Sequence, residues 1–257
     1  MTTRRMMLKG SGLALAGLAA SRGGAADRRP PDVGRKFAAD GRVLPFAGNT
    51  IICHLPQQGA GSEAFDALLD VYRALPGEPW ARKVTALPPS SYHMTIFGTA
   101  NDKARRYPLW PAGVPLDLPM ADCDRILGER LRAFRLGDEA GPYRMRVNME
   151  PPPAGETPLT VRLLPADDAM EARLRRLRDR LAEVTGIREP DHDRYRFHIT
   201  LAYQVAPLTP EEVDAWRRSL AAWKVMIARR APIITLGNPE YCLLKDMFAF
   251  KRQFFLS

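Results

Sequence analysis

Cysteine and histidine are scarce in this chain, with 3 and 4 among 257 residues. Cys53, Cys123 and Cys242 are too few and too scattered for a disulfide framework or a zinc knuckle. They fit either one disulfide or three small apolar fillers. Glycine-rich phosphate loops of the Walker or Rossmann type are missing, which argues against nucleotide-triphosphate and dinucleotide chemistry. His54 and His192 show no metal-ligand spacing to the nearby acids Glu189, Asp191 and Asp193, so neither a metal nor a cofactor is expected. Long apolar runs are absent too. The stretch from Gly10 to Ala20 is too short and too rich in Gly and Ala to span a bilayer as a stable helix.

What that stretch does fit is an export leader. Arg4-Arg5 precedes it and small residues at Gly24 and Ala26 follow, so residues 1–26 read as a twin-arginine signal peptide. The expectation is a bacterial protein handled folded by the twin-arginine export machinery and delivered to the periplasm or beyond, as a monomer. The formal charge is +9, but residues 1–26 contribute four basic side chains and no acid. The balance left to the remainder suits an anionic ligand without demanding a nucleic-acid polymer. Residues 27–44, charged and rich in Pro and Gly, read as a linker or N-terminal arm, and residues 45–257 as one two-lobed domain.

Within that domain, the pattern predicts a strand over Asn49–Leu55, a helix from Ser62 and a helix over Asp122–Leu136. Tyr143–Met149 and Leu159–Leu164 form a hairpin-like pair of strands. Helices follow over Ala166–Val184 and from Thr209, with Thr209 as N-cap and Pro210 at N1, to about Arg229. Ile233–Leu236, Tyr241–Lys245 and Met247–Phe254 end the chain as strands. Without a parallel βαβ rhythm, this is α+β: a bilobal pair of antiparallel sheets with pseudo-two-fold symmetry, outer helices and a central cleft.

Two segments share one design. Ser91-Tyr-His-Met-Thr-Ile-Phe97 and Arg196-Phe-His-Ile-Thr-Leu-Ala202 each hold a His-x-Thr in an apolar strand. Alternation puts His93 and Thr95 on one face, and His198 and Thr200 likewise. In the second segment Tyr195, Phe197, Ile199, Leu201, Tyr203 and Val205 read as an unbroken apolar face opposite Arg196, His198, Thr200 and Gln204. Chance predicts roughly 0.3 such triplets in a chain of this composition, so two in matched settings mark a site. Histidine, with a pKa near ~6.5, serves as acid or base. A threonine two residues along can hydrogen-bond a phosphate oxygen where charge builds up. His54 could line the same cleft, and His192 reads as part of a polar loop. Arg144, Arg146, Arg162 and Arg196 are candidates for further phosphates, and Tyr203, Phe248 and Phe250 for stacking a base.

With His93/Thr95 and His198/Thr200 separated by 105 residues, the chain over residues 35–257 resembles the two-histidine (2H) phosphoesterases. Phe46–Leu55 and Trp110-Pro111 look like a poorly characterised branch of that superfamily. The resemblance implies metal-independent opening of a cyclic phosphodiester, a 2′,3′-cyclic nucleotide or an RNA terminus. It assigns His93 and His198 to catalysis and Thr95 and Thr200 to the substrate phosphate. His93 would protonate the leaving oxygen and His198 activate water, although the superfamily also holds the opposite assignment, ligases and exonucleases. The alternative is a non-catalytic phosphate-ester or RNA-binding protein on the same scaffold.

Overall fold

The computed structural model describes residues 29–154, 156–157 and 159–257, so the expected leader over 1–26 lies outside the described residues. Alternating short strands and helices build an α+β structure. In chain order these are β1 (Gly48–His54), α1 (Glu63–Ala74), β2 (Val84–Ala86), β3 (His93–Asn101), α2 (Met120–Ala133), β4 (Tyr143–Val147) and β5 (Thr160–Pro165). They continue with α3 (Asp168–Thr185), β6 (His198–Thr200), β7 (Ala202–Gln204), α4 (Pro210–Arg230), β8 (Ile234–Leu236), β9 (Glu240–Asp246) and β10 (Ala249–Phe255).

Local chemistry sets the helix ends. Thr209 caps α4 through a capping box: its hydroxyl accepts from the Glu212 amide, and the Glu212 carboxylate accepts from the Thr209 amide. Pro210 takes N1, where a missing N–H costs nothing. Asp167 caps α3 by accepting from the Met170 amide at 2.8 Å, and Gly186 ends it in the left-handed conformation at φ 69°.

The main sheet runs β10-β9-β1-β3-β6-β5-β4-β8. The expected pair of sheets is present as two antiparallel four-stranded halves, which meet edge to edge. β3 and β6 join them through the pairing of Met94 with Ile199. The halves share a scheme: β1, α1 and β3 in the first correspond to β5, α3 and β6 in the second. β9 and β10 return from the C-terminus to complete the first half.

Residues 195–205 do not form the single strand expected. The chain breaks at Leu201, whose amide turns to the Leu159 carbonyl at 2.9 Å while its own carbonyl accepts from Leu87. β7 beyond the break pairs with β2 in a separate two-stranded sheet. Tyr203, beyond the break, packs against the core and also lines the pocket at His198 and Thr200.

The arm expected over 27–44 is packed onto the domain from residue 29. Phe37 is completely buried, with its ring 5.0 Å from Tyr203 and 6.1 Å from Phe248, which anchors the segment beside β7. The three cysteines are free and buried. Among the described residues no helix is long and apolar enough to cross a membrane.

One buried cation ties the second half to the first. In β3 the register against β1 steps from Ile51↔Phe97 to Ile52↔Thr95, so Ile96 is bulged out of that ladder. Its carbonyl accepts from Nη1 of Arg178 on α3 at 2.6 Å, and Nη2 reaches the His192 carbonyl at 3.4 Å. Arg178 is 1% exposed and stacks over Tyr195, 4.0 Å from the ring centroid. Truncation would strand two buried carbonyls. Arg178→Met is therefore expected to lower unfolding free energy by about 2–5 kcal/mol in denaturant melts.

Candidate functional site

Register alone gathers the four motif residues. β3 and β6 run antiparallel with Met94 opposite Ile199, so the same register sets His93 beside Thr200 and Thr95 beside His198. Met94 and Ile199 are fully buried on one face. Their neighbours at ±1 therefore project from the other face, about 5 Å apart across the pair and ~7 Å along each strand. Two histidines occupy one diagonal of this square and two threonines the other. All four are half-buried. The site is thus a patch on one sheet face, flanked by a pocket of about 420 Å³ that holds His198, Thr200, Tyr203 and Lys36.

Each imidazole is fixed by its own chain. His93 Nδ1 lies 2.6 Å from the Ser91 carbonyl and His198 Nδ1 lies 2.8 Å from the Arg196 carbonyl. A carbonyl can only accept, so both rings carry hydrogen on Nδ1, and Nε2 is left for chemistry. The two bonds span the same interval of two residues. Burial lowers the affinity of both rings for a proton. His93 is held at about 4 by desolvation, opposed by the Ser91 carbonyl, with His54 and His198 adding to the depression and Glu240 opposing it. His198 is lowered by desolvation, opposed by the Arg196 carbonyl, and lowered further by the charges of Arg162 and Lys36.

The flanking strands give the histidines different company. His93 faces His54 across the β1–β3 ladder, with ring centroids 6.1 Å apart. His54 Nδ1 donates to the Glu240 carboxylate at 2.9 Å, and Arg252 approaches the same carboxylate at 3.5 Å. Burial pushes the Glu240 carboxyl up, but the hydrogen bonds and charge of His54, with Arg252, more than offset this and hold it below the usual value. Phe250 closes over His93 at 4.3 Å. His198 faces Arg162 across the β5–β6 ladder. Tyr195 packs against the core, its ring 5.4 Å from Phe197, and burial raises its pKa, opposed by the Arg178 charge.

The sequence pattern therefore located the four motif residues and named His54, Arg162 and Phe250 as candidates. Glu240 and Lys36 were missed as site residues, because their proximity arises from strand pairing and chain packing. Arg144 and Arg146 are exposed on β4, two strands from the motifs. Phe248 packs on Phe37. His192 sits in the connection before β6, as expected, but its ring is buried, 3% exposed with Nε2 on Asp179 at 2.9 Å. His54, Glu240 and Cys242 bring three ligand-type atoms within 4.8 Å of one another, as do Asp179, His192 and Asp193. In the first group, burial pushes the Cys242 thiol up to about 12 and Arg252 already pairs with Glu240, a poor fit to a cation.

The family described as 2H-phosphodiest, a domain of unknown function (DUF1868), matches residues 36–156, which contain the first motif. The crystal structure of a conserved protein of unknown function, ATU0111 from Agrobacterium tumefaciens strain C58, is similar with a TM-score of 0.80 and 32% sequence identity, covering 90% of this chain and 94% of that one. The crystal structure of TT0787 of Thermus thermophilus has a TM-score of 0.42 and 19% identity, covering 81% of this chain and 97% of that one. Comparison with curated proteins finds no relative of this chain. With a relative at 32% identity over nearly its whole length, and the paired His-x-Thr strands side by side, the chain belongs to the 2H phosphoesterase-like superfamily.

Proposed function

We propose that the protein is a metal-independent phosphodiesterase that opens a cyclic phosphodiester, with 2′,3′-cyclic nucleotides or RNA termini as the substrate class. The observation that carries this reading is the square of His93, Thr95, His198 and Thr200 about the Met94–Ile199 pair, with Nδ1 of both rings tied to the chain. A phosphate centred on that square meets an Nε2 on each side and a hydroxyl toward each non-bridging oxygen.

The family resemblance supplies the direction of reaction, with His198 as base and His93 as acid. His198, beside the cations Arg162 and Lys36, favours the neutral form and suits the base that takes a proton from water. The water oxygen bonds phosphorus and the bond to the 3′-oxygen breaks, leaving a 2′-phosphate. His93 gives its proton to the departing oxygen. The anionic substrate brings the charge that puts a proton on His93, against the desolvation and the His54 and His198 charges that lower its pKa in the free protein, with Glu240 opposing them. The threonine hydroxyls stabilise charge on the phosphoryl oxygens.

In EDTA, turnover of a 2′,3′-cyclic nucleotide is expected to survive. His93→Asn and His198→Asn should each lower kcat by about 10²–10⁴-fold. The leaving group separates their roles. On a p-nitrophenyl phosphodiester, whose leaving oxygen needs no proton, His93→Asn should recover much of the loss and His198→Asn should not. Equal losses on both substrates would reject the assignment, and full activity of either variant would reject the reaction.

Both free imidazoles lie below the ordinary value of 6.5. Above that pH the free protein carries two neutral rings, and the form holding one proton falls about tenfold per pH unit. The kcat/KM profile should therefore peak on the acid side of pH 6.5. The kcat profile should lie at higher pH, because bound phosphate favours the imidazolium. The twin-arginine pattern supports action in the periplasm or outside the cell. Export of the full chain, followed by cell fractionation, is expected to fail on replacement of Arg4 and Arg5 by lysine.

A further inference from the structure

Beside the histidine pair, on the β5 side, lies a second pocket of about 340 Å³. Its lining carries Arg162, Arg196 and Lys224, with Glu150 the one carboxylate and Asn148 and Thr160 as neutral polar groups. The two pockets adjoin. Thr160 lines both, and Arg162 is the ladder partner of His198. The main chain of Arg196 is tied to the motif, since its carbonyl receives Nδ1–H of His198.

Three features of this pocket call for an anion. Lys224, reaching in from α4, is 4% exposed, and its ammonium donates to the Glu150 main-chain carbonyl at 2.6 Å. An ammonium has three donors, so two remain without a partner among the described residues. Burial and the neighbouring Arg162 charge both disfavour its proton, with Glu150 opposing. Arg162 has a buried Nε with no partner among the described residues, and its Nη2 contacts Glu156 at 3.4 Å. Arg196 and Lys224 make no ion pair among the described residues. Lys224 is the buried cation of the three and Arg162 has Glu156 as its ion-pair partner, so an anion bound beside Lys224, Arg162 and the exposed Arg196 would offset the cost of burying the ammonium. Guanidinium forks and an ammonium suit the several oxygens of a phosphate.

We propose that the pocket of Arg162, Arg196 and Lys224 is a second anion site, which holds a phosphate monoester of the substrate while the cyclic phosphodiester lies between His93 and His198. This rests on the reading of the histidine pair as a phosphodiesterase centre, and it narrows the substrate class. The preferred substrate carries a phosphate besides the reacting one, as in a 5′-phosphorylated nucleoside 2′,3′-cyclic phosphate or a short oligonucleotide end.

The test compares adenosine 2′,3′-cyclic phosphate with its 5′-phosphorylated form in the full-length protein, alongside Lys224→Met and Arg196→Gln. Arg196 is exposed, so its variant guards against a folding failure at the buried lysine. The wild type should favour the 5′-phosphorylated substrate by about tenfold or more in kcat/KM. Both variants should reduce that ratio, and added salt should reduce it further. A ratio near one in the wild type, or one unmoved in both variants, overturns the proposal while leaving the phosphodiesterase reading intact. If neither compound turns over, calorimetric binding of 5′-AMP decides. Binding weakened about tenfold in both variants supports the anion site without the reaction, and its absence or indifference to the substitutions overturns it.

Discussion

The backbone pairing of Met94 with Ile199 joins two four-stranded halves into one sheet, and the polar face takes its geometry from that pairing. Both side chains are buried without remainder, which fixes which face they occupy. The residues on either side must then emerge on the opposite face. Two short strands brought together antiparallel thus place two imidazoles and two hydroxyls at the corners of one small square. No loop has to fold over to assemble them. The local logic is equally economical: each ring is oriented by a carbonyl two residues earlier, so the strand that supplies the histidine also sets its tautomer.

Near-symmetry at the centre gives way to asymmetry one strand outward. The residue facing His93 is His54, itself bound to a buried carboxylate, whereas the residue facing His198 is Arg162. A duplicated scaffold thereby gains two unlike sides without altering the motifs. The side with Arg162 continues into a pocket of further cations, and the side with His54 ends against Phe250 and Arg252.

Much of this was legible in the amino-acid sequence, for identifiable reasons. Thr209, Pro210 and Glu212 signal a helix start through local hydrogen bonding, and α4 begins there. The His-x-Thr strands show themselves because alternation is a property of the backbone. Strand neighbours are different: nothing in residues 48–54 says that His54 will face His93, since pairing is decided by which apolar faces pack together. The break at Leu201 was equally hidden. Leu201 and Tyr203 continue the apolar alternation, and only the competing hydrogen bonds of Leu159 and Leu87 turn the chain. His192 looks polar beside Asp191 and Asp193, yet its ring lies within the fold because Asp179 offers a partner.

The bulge at Ile96 and the break at Leu201 occupy the same place in the two motifs, one residue beyond each threonine. A regular strand could slide by one residue and still bond its neighbour, sending each His-Thr pair into the core and Met94 or Ile199 into solvent. An irregularity at this position removes that freedom. The Ile96 carbonyl is committed to Arg178 and the Leu201 carbonyl to the Leu87 amide, so a slip would forfeit a specific bond on either strand. The two defects act as detents: they lock the register of a site whose chemistry depends on which way four side chains point.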